Sequence, residues 1–84
     1  MYKVISKNYW GEESVKFYLS FKKAKESIRE VAFYWIEQKY KAIGRDWGDI
    51  IFKIEREKKL FEEKGEVNTK EFSCKIIFIQ MELI

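Results

Sequence analysis

The sequence contains no histidine and no proline, and its only cysteine is Cys74. Without histidine the chain cannot build Ser-His-Asp or Cys-His nucleophiles, and it lacks the commonest ligand of transition metals. One cysteine allows no intramolecular disulfide, whereas small secreted domains usually have several. No apolar run reaches the length of a membrane span, and the first ten residues lack the apolar core of a signal peptide. We therefore expect a cytoplasmic protein without membrane association.

Other kinds of site are also missing. No glycine-rich phosphate loop is present, and the spacing of the carboxylates in two predicted turns fits no EF-hand. Cys74 falls in a predicted strand with no obvious activating base, so an inert, buried thiol is expected. The sequence predicts no enzyme, no metal and no cofactor.

The sequence is, by contrast, rich in aromatic residues and in interspersed charge. Its 84 residues suit a single domain over 1–84, and 18% of them are aromatic, which compensates for the small core of so short a chain. The net charge of +3 is mild and is not concentrated in one basic segment. Nucleic acid is therefore a less favoured partner than protein.

The N-terminal half predicts a β-hairpin followed by a long helix. Tyr2–Lys7 is β-rich, residues 8–13 have turn composition, and residues 15–21 alternate between apolar and other side chains. Ser20 is a candidate N-cap, and the apolar period then becomes helical from Phe21 to Ile43. Gly44 is a natural residue to follow the last turn.

The C-terminal half carries both strand and helix signals. Residues 50–54 predict a third strand, and residues 72–83 predict a final one. Residues 55–64 have helical propensity, but the final strand needs an antiparallel partner, so a long hairpin closing near Gly65 is favoured. The predicted fold is α+β, with a single antiparallel sheet in the order β-β-α-β-β and one long helix packed on one face.

Two sets of apolar side chains would remain exposed in the predicted fold. Phe33 and Tyr40 form a ridge away from the core face of the helix, while Ile77 and Ile79 lie on the other face of the final strand from Ile76. Large apolar patches usually mark a partner or dimer interface. The alternative is the ordinary exposed apolar area of a small protein.

Two Trp-Gly segments are predicted to lie in loops at the same end of the molecule. If the helix returns toward the hairpin tip, the loop after it joins that tip, and partner-binding residues cluster there, namely Tyr9, Trp10, Arg45 and Trp47. Tryptophan and arginine are typical anchors of binding sites. Alternatively, either indole ring folds back as a lid on the core.

A basic helix start supports a second hypothesis. Lys22, Lys23 and Lys25 open the helix, where positive charge opposes the helix dipole, so an anion or nucleic-acid phosphate is a candidate ligand. Exposed sheet aromatics such as Tyr18 would add stacking. More often, such lysines extend along the flank of a helix with their charge in water.

The N-terminal half resembles the start of many small proteins of bacterial viruses and prophages. The likeness is carried by the hairpin and by Ser20-Phe21-Lys22-Lys23-Ala24 at the helix start. It implies a small, non-enzymatic accessory factor that binds and modulates a host protein, including inhibitors of host defence. No functional residue transfers from it, because the matching residues are structural.

These observations favour a protein-binding module that acts by occupancy. The alternatives are a nucleic-acid-binding protein that uses the basic helix start, and a structural homodimer.

Overall fold

The computed structural model describes residues 1–43 and 46–80. The described part of the chain forms six elements in the order β-β-α-α-β-β. They are β1 (Tyr2–Lys7), β2 (Glu13–Tyr18), α1 (Phe21–Ile43), α2 (Trp47–Lys64), β3 (Glu66–Asn68) and β4 (Ser73–Phe78). An α+β fold with a single antiparallel sheet is confirmed, but there are two helices and not one. Gly44, proposed as the residue after α1, and residues 81–83, proposed as the end of the last strand, lie outside the described residues.

β1 and α1 have the bounds that the sequence predicts. The helix starts after Ser20, whose hydroxyl accepts a hydrogen bond from the Lys23 N–H at 3.1 Å, as expected of an N-cap. Ala24, Ala32 and Ile36 are buried on its core side. The 3.6-residue period therefore identified this element correctly.

The predicted strand at 50–54 and the hairpin through 55–64 are wrong, because both segments belong to α2. The helix has an N-cap at Asp46, whose carboxylate accepts from the Gly48 N–H at 3.0 Å. It ends at Gly65, where φ is +70° and the N–H reaches the Phe61 carbonyl at 2.7 Å. Gly65 thus terminates a helix and does not form a hairpin tip.

The four strands lie in the order β2-β1-β4-β3, and every neighbouring pair is antiparallel. One face of this sheet carries the buried side chains of Val4, Val67, Cys74 and Ile76. Both helices pack on that face, α1 over β1, β2 and β4, and α2 against β3. The opposite face is covered by no helix in residues 1–43 and 46–80, as the sequence predicted.

The two helices form an antiparallel pair. The rings of Phe33 and Phe61 meet edge to face with centroids 5.7 Å apart, and Ile36 and Phe61 are both 0% exposed. Ion pairs border this seam, among them Arg29–Glu62, Lys58–Glu37 and Lys39–Glu57. The apolar ridge of α1 is therefore covered by a helix of the same chain.

Candidate functional site

The turn between β1 and β2 is held by the side chain of Asn8. Its amide oxygen accepts from the N–H groups of Trp10 and Glu12, each at 3.0 Å, and the Gly11 N–H donates to the Asn8 carbonyl at 3.0 Å. Gly11 has φ of +80°, which a residue without Cβ adopts without strain. These bonds fix the backbone that carries Tyr9 and Trp10, so the two rings are displayed from an ordered turn.

A groove lies between this turn and α1, and we call it the tip groove. Its volume is about 450 Å³. It is lined by Asn8, Tyr9, Trp10, Val31, Trp35 and Phe72. Trp35 is half-buried and Phe72 is buried, so they form the floor, whereas Trp10 is 78% exposed and forms a wall. Trp10 is therefore not a lid buried over the core.

The tip groove is almost entirely apolar. Among the described residues, its polar groups are the Tyr9 hydroxyl, two indole N–H groups and the Asn8 amide, whose oxygen is already engaged by the turn. Within 1–43 and 46–80, no charged residue belongs to the lining. Such a groove suits an aliphatic or aromatic group, and its described lining has no cationic side chain to attract a phosphate or carboxylate.

The structure separates Trp10 from Trp47. Trp47 begins α2 and does not lie in a loop, and α1 continues about 12 Å beyond Trp35 before that helix starts. Trp47 is 66% exposed, and Ile51, four residues on along the same helix, is exposed beside it. The predicted single cluster is thus two surfaces, and Arg45, assigned to the same cluster, lies outside the described residues.

Phe33 and Tyr40, proposed to bind a partner, lie in the seam between the helices. The Tyr40 hydroxyl donates to the Glu57 carboxylate at 2.5 Å. Burial, together with this hydrogen bond, raises the pKa of Tyr40 to about 12. Contacts within the chain therefore account for both rings.

Ile77 and Ile79, the other proposed partner-binding residues, lie on the uncovered sheet face. Ile77 is opposite Lys3, and the Ile79 N–H donates to the Met1 carbonyl, which continues the ladder by one step. Charges of both signs lie on this face, because Lys7 is opposite Glu13 and Lys75 is opposite Glu66, and only Lys3 has no acidic residue opposite it in the described strands. The face lacks the one-signed field that nucleic acid requires.

The basic helix start is only partly available to a ligand. Lys22 and Lys23 are exposed. The Lys25 ammonium donates to the Glu62 carbonyl at 2.9 Å and lies 3.4 Å from the Glu62 carboxylate. Tyr18, whose ring was proposed to stack on bases, is half-buried on the helix side of the sheet. The nucleic-acid hypothesis stays a prediction and depends mainly on Lys22 and Lys23.

The one cysteine thiol lies in the protein core. Cys74 is buried, and desolvation raises the pKa of its thiol to about 11. Residues 1–43 and 46–80 contain no group of three or more side chains placed to bind a metal ion. Within the same residues, no helix has the length and apolar character needed to cross a membrane.

Sequence reasoning missed three residues of the tip groove. Val31 and Trp35 fall within the apolar helical period of 21–43, and their i,i+4 spacing places them together. The helical period does not indicate that the hairpin turn lies beside these two residues. Phe72 was included in the predicted final strand, whereas in the structure it precedes β4 and lines the groove.

Comparison with known proteins gives no relative to this chain: no family model, no curated protein and no solved structure matches it.

Proposed function

We propose that this protein is a non-enzymatic protein-binding module that docks an apolar side chain of a partner in the tip groove. The observation that carries the proposal is the position of Trp10, 78% exposed on an ordered turn beside an apolar concavity. A large exposed indole ring costs free energy in water, and its burial by a partner recovers that cost.

The groove has the composition of a binding hot spot. It combines two tryptophans and a tyrosine with a buried phenylalanine floor. Such anchors dominate the binding energy of protein interfaces when they are fully desolvated. Because Asn8 holds the turn before binding, little conformational entropy is lost when the partner docks.

The partner is expected to be a protein with an exposed aliphatic or aromatic residue. We propose a host protein in this role, with the module acting as an accessory factor or inhibitor by occupancy, as the likeness of the N-terminal hairpin and helix start would imply. The apolar lining of the groove agrees with recognition of a protein more than of a nucleic-acid backbone.

The test is a pull-down with the tagged protein from nuclease-treated lysate of the native host, followed by binding measurements with the recovered partner. Trp10→Ala is expected to weaken binding at least tenfold, because it removes the wall of the groove. Trp47→Ala is the matched control, since it removes an equally large ring that is 66% exposed elsewhere.

Salt separates the two classes of partner. Docking in an apolar groove should keep its affinity between low and high salt, whereas phosphate contacts lose affinity steeply. Recovery of the bait alone, equal binding by wild type and Trp10→Ala, or a steep loss of affinity with salt would each contradict the proposal.

A further inference from the structure

Strand β2 is an unprotected edge of the sheet. It pairs with β1 only, and residues 13–17 are all exposed. Its six-residue register runs without a bulge, and the chain has no proline to interrupt it. Within residues 1–43 and 46–80, no other strand or helix covers its outer side. Edge strands with free backbone groups are templates for pairing with another chain, and many proteins block them.

The hydrogen bonds of the turn show which groups of β2 point outward. The Asn8 N–H donates to the Glu12 carbonyl at 3.0 Å, one step beyond the pair Lys7 and Glu13. Because bonded pairs alternate along an antiparallel ladder, the N–H and C=O of Val15 point away from β1. The same alternation directs the backbone groups of Glu13 and Phe17 outward.

On the uncovered face, β2 carries Glu13 followed by two apolar side chains, Val15 and Phe17. Val15 is 48% exposed and Phe17 is 55% exposed. Val15 lies directly opposite Ile5, which lies opposite Lys75, which in turn lies opposite Glu66. These four residues form one row across the sheet, and the two nearest the β2 edge, Val15 and Ile5, have β-branched side chains.

Two copies of β2 have one favourable symmetric register. Copies that share a sheet must pair residues of the same face, so the two-fold axis passes through a residue and not between two. With the axis at Ser14, only residues 13–15 of β2 pair with the second copy, and with the axis at Phe17 only residues 16–18 do. An axis at Lys16 puts two ammonium groups opposite each other, which is destabilising. An axis at Val15 overlaps residues 13–17 and opposes no like charges.

We infer that the chain forms a two-fold symmetric dimer by antiparallel pairing of β2 with β2 of a second copy, centred on Val15. The outward groups of Glu13, Val15 and Phe17 then form about six backbone hydrogen bonds. Across the interface, Ile5 and Val15 meet Val15 and Ile5 of the second copy, a continuous row of β-branched pairs. The residues that line the tip groove lie outside the paired segment 13–17, and the inference does not rest on the proposed function.

Sedimentation equilibrium tests the dimer. The wild type is expected to sediment as a dimer, and Val15→Lys as a monomer, because the substitution places two ammonium groups at the axis. Phe52→Lys is the matched control, since it replaces an exposed apolar residue of α2 and should leave the dimer intact. Circular dichroism checks that each variant is folded. A monomeric wild type, or a dimer that persists in Val15→Lys, would overturn the inference.

Cross-linking tests the register. In a Cys74→Ala background, which removes the only native thiol, Val15→Cys should oxidise to a disulfide-linked dimer. Its two Cα atoms lie about 5.5 Å apart in a hydrogen-bonded pair, within disulfide range. The Cα atoms of two Phe17→Cys chains lie about 13 Å apart along the strands, so that variant should stay unlinked. Equal linking of both variants, or linking of Phe17→Cys alone, would overturn the proposed axis.

Discussion

Gly65 packs directly against Ile76. A Cβ atom added at Gly65 would lie 2.9 Å from the Ile76 Cβ and Cδ1 atoms, closer than real Cβ contacts. The same two residues are joined by a hydrogen bond from the Ile76 N–H to the Gly65 carbonyl at 3.0 Å. Ile76 is buried beneath the helices. The end of α2 is thus fixed onto β4 at a point that has no room for a side chain.

Gly65→Ala should destabilise the fold by roughly 2–4 kcal/mol, from the left-handed conformation and from overpacking against Ile76. Gly11→Ala is the matched control. Gly11 also has positive φ, but its nearest neighbour to an added Cβ is the Lys7 Cε at 3.9 Å. It should cost only about 1–2 kcal/mol. Urea unfolding of both variants measures the difference, and equal losses would show that the Ile76 contact is unimportant.

Phe61→Ala should cost about 3–5 kcal/mol, because the ring is 0% exposed and its loss leaves a cavity between α2 and α1. Phe52→Ala, on the exposed side of the same helix, should change stability by about 0.5 kcal/mol or less. Chemical denaturation followed by circular dichroism gives both values. Similar small effects for the two variants would contradict the placement of Phe61 between the helices.

The sequence predicted the elements whose signals are local and consistent. In β1 and α1, propensity, periodicity and the Ser20 cap agree with one another. In α2, the β-rich residues 50–54 suggest a strand, while Asp46 and Gly65 supply helix caps at either end. The helix forms because Ile50, Ile54 and Phe61 then share one buried face. The two caps are local signals of a helix, and together with this shared buried face they outweigh the β-rich composition of 50–54.

The same error explains the misinterpreted ridge on α1. Phe33 and Tyr40 appeared to lack a cover because the segment that covers them was assigned to the sheet. The tip groove depends instead on which residues of α1 the hairpin turn lies beside. That position follows from strand length and helix packing, and no local pattern of residues near Trp10 or Phe72 encodes it.

Acid should weaken the contact between the helices through Glu62. The hydrogen bond from Arg29, whose Nη2 lies 2.9 Å from the carboxylate, lowers the pKa of Glu62. The stabilisation is therefore present above the unfolded pKa of about 4.3 and is lost as pH falls through the lower folded value. Because Glu62 is about one-third exposed, the pair contributes about 1 kcal/mol or less.

Glu62→Gln should accordingly be less stable than wild type at neutral pH and nearly equal to it at strongly acidic pH. Glu63→Gln is the control, since Glu63 is its exposed neighbour. Urea midpoints across the pH range give the comparison. A gap between Glu62→Gln and wild type that persists in acid would show that the ion pair is not its cause.

Cys74 should react with thiol reagents only when the protein opens. The side chain is 5% exposed, and burial raises the pKa of its thiol to about 11, whereas a free thiol has a pKa near 8.5. Its labelling rate at neutral pH therefore follows the population of open molecules. Gly65→Ala, at about 3 kcal/mol of destabilisation, should speed labelling roughly a hundredfold, because each 1.4 kcal/mol is a factor of ten. Gly11→Ala, at about 1–2 kcal/mol, should speed it only about five- to thirtyfold. Fast labelling of the wild type, unchanged by Gly65→Ala, would mean that Cys74 is reached without opening of the α2–β4 contact.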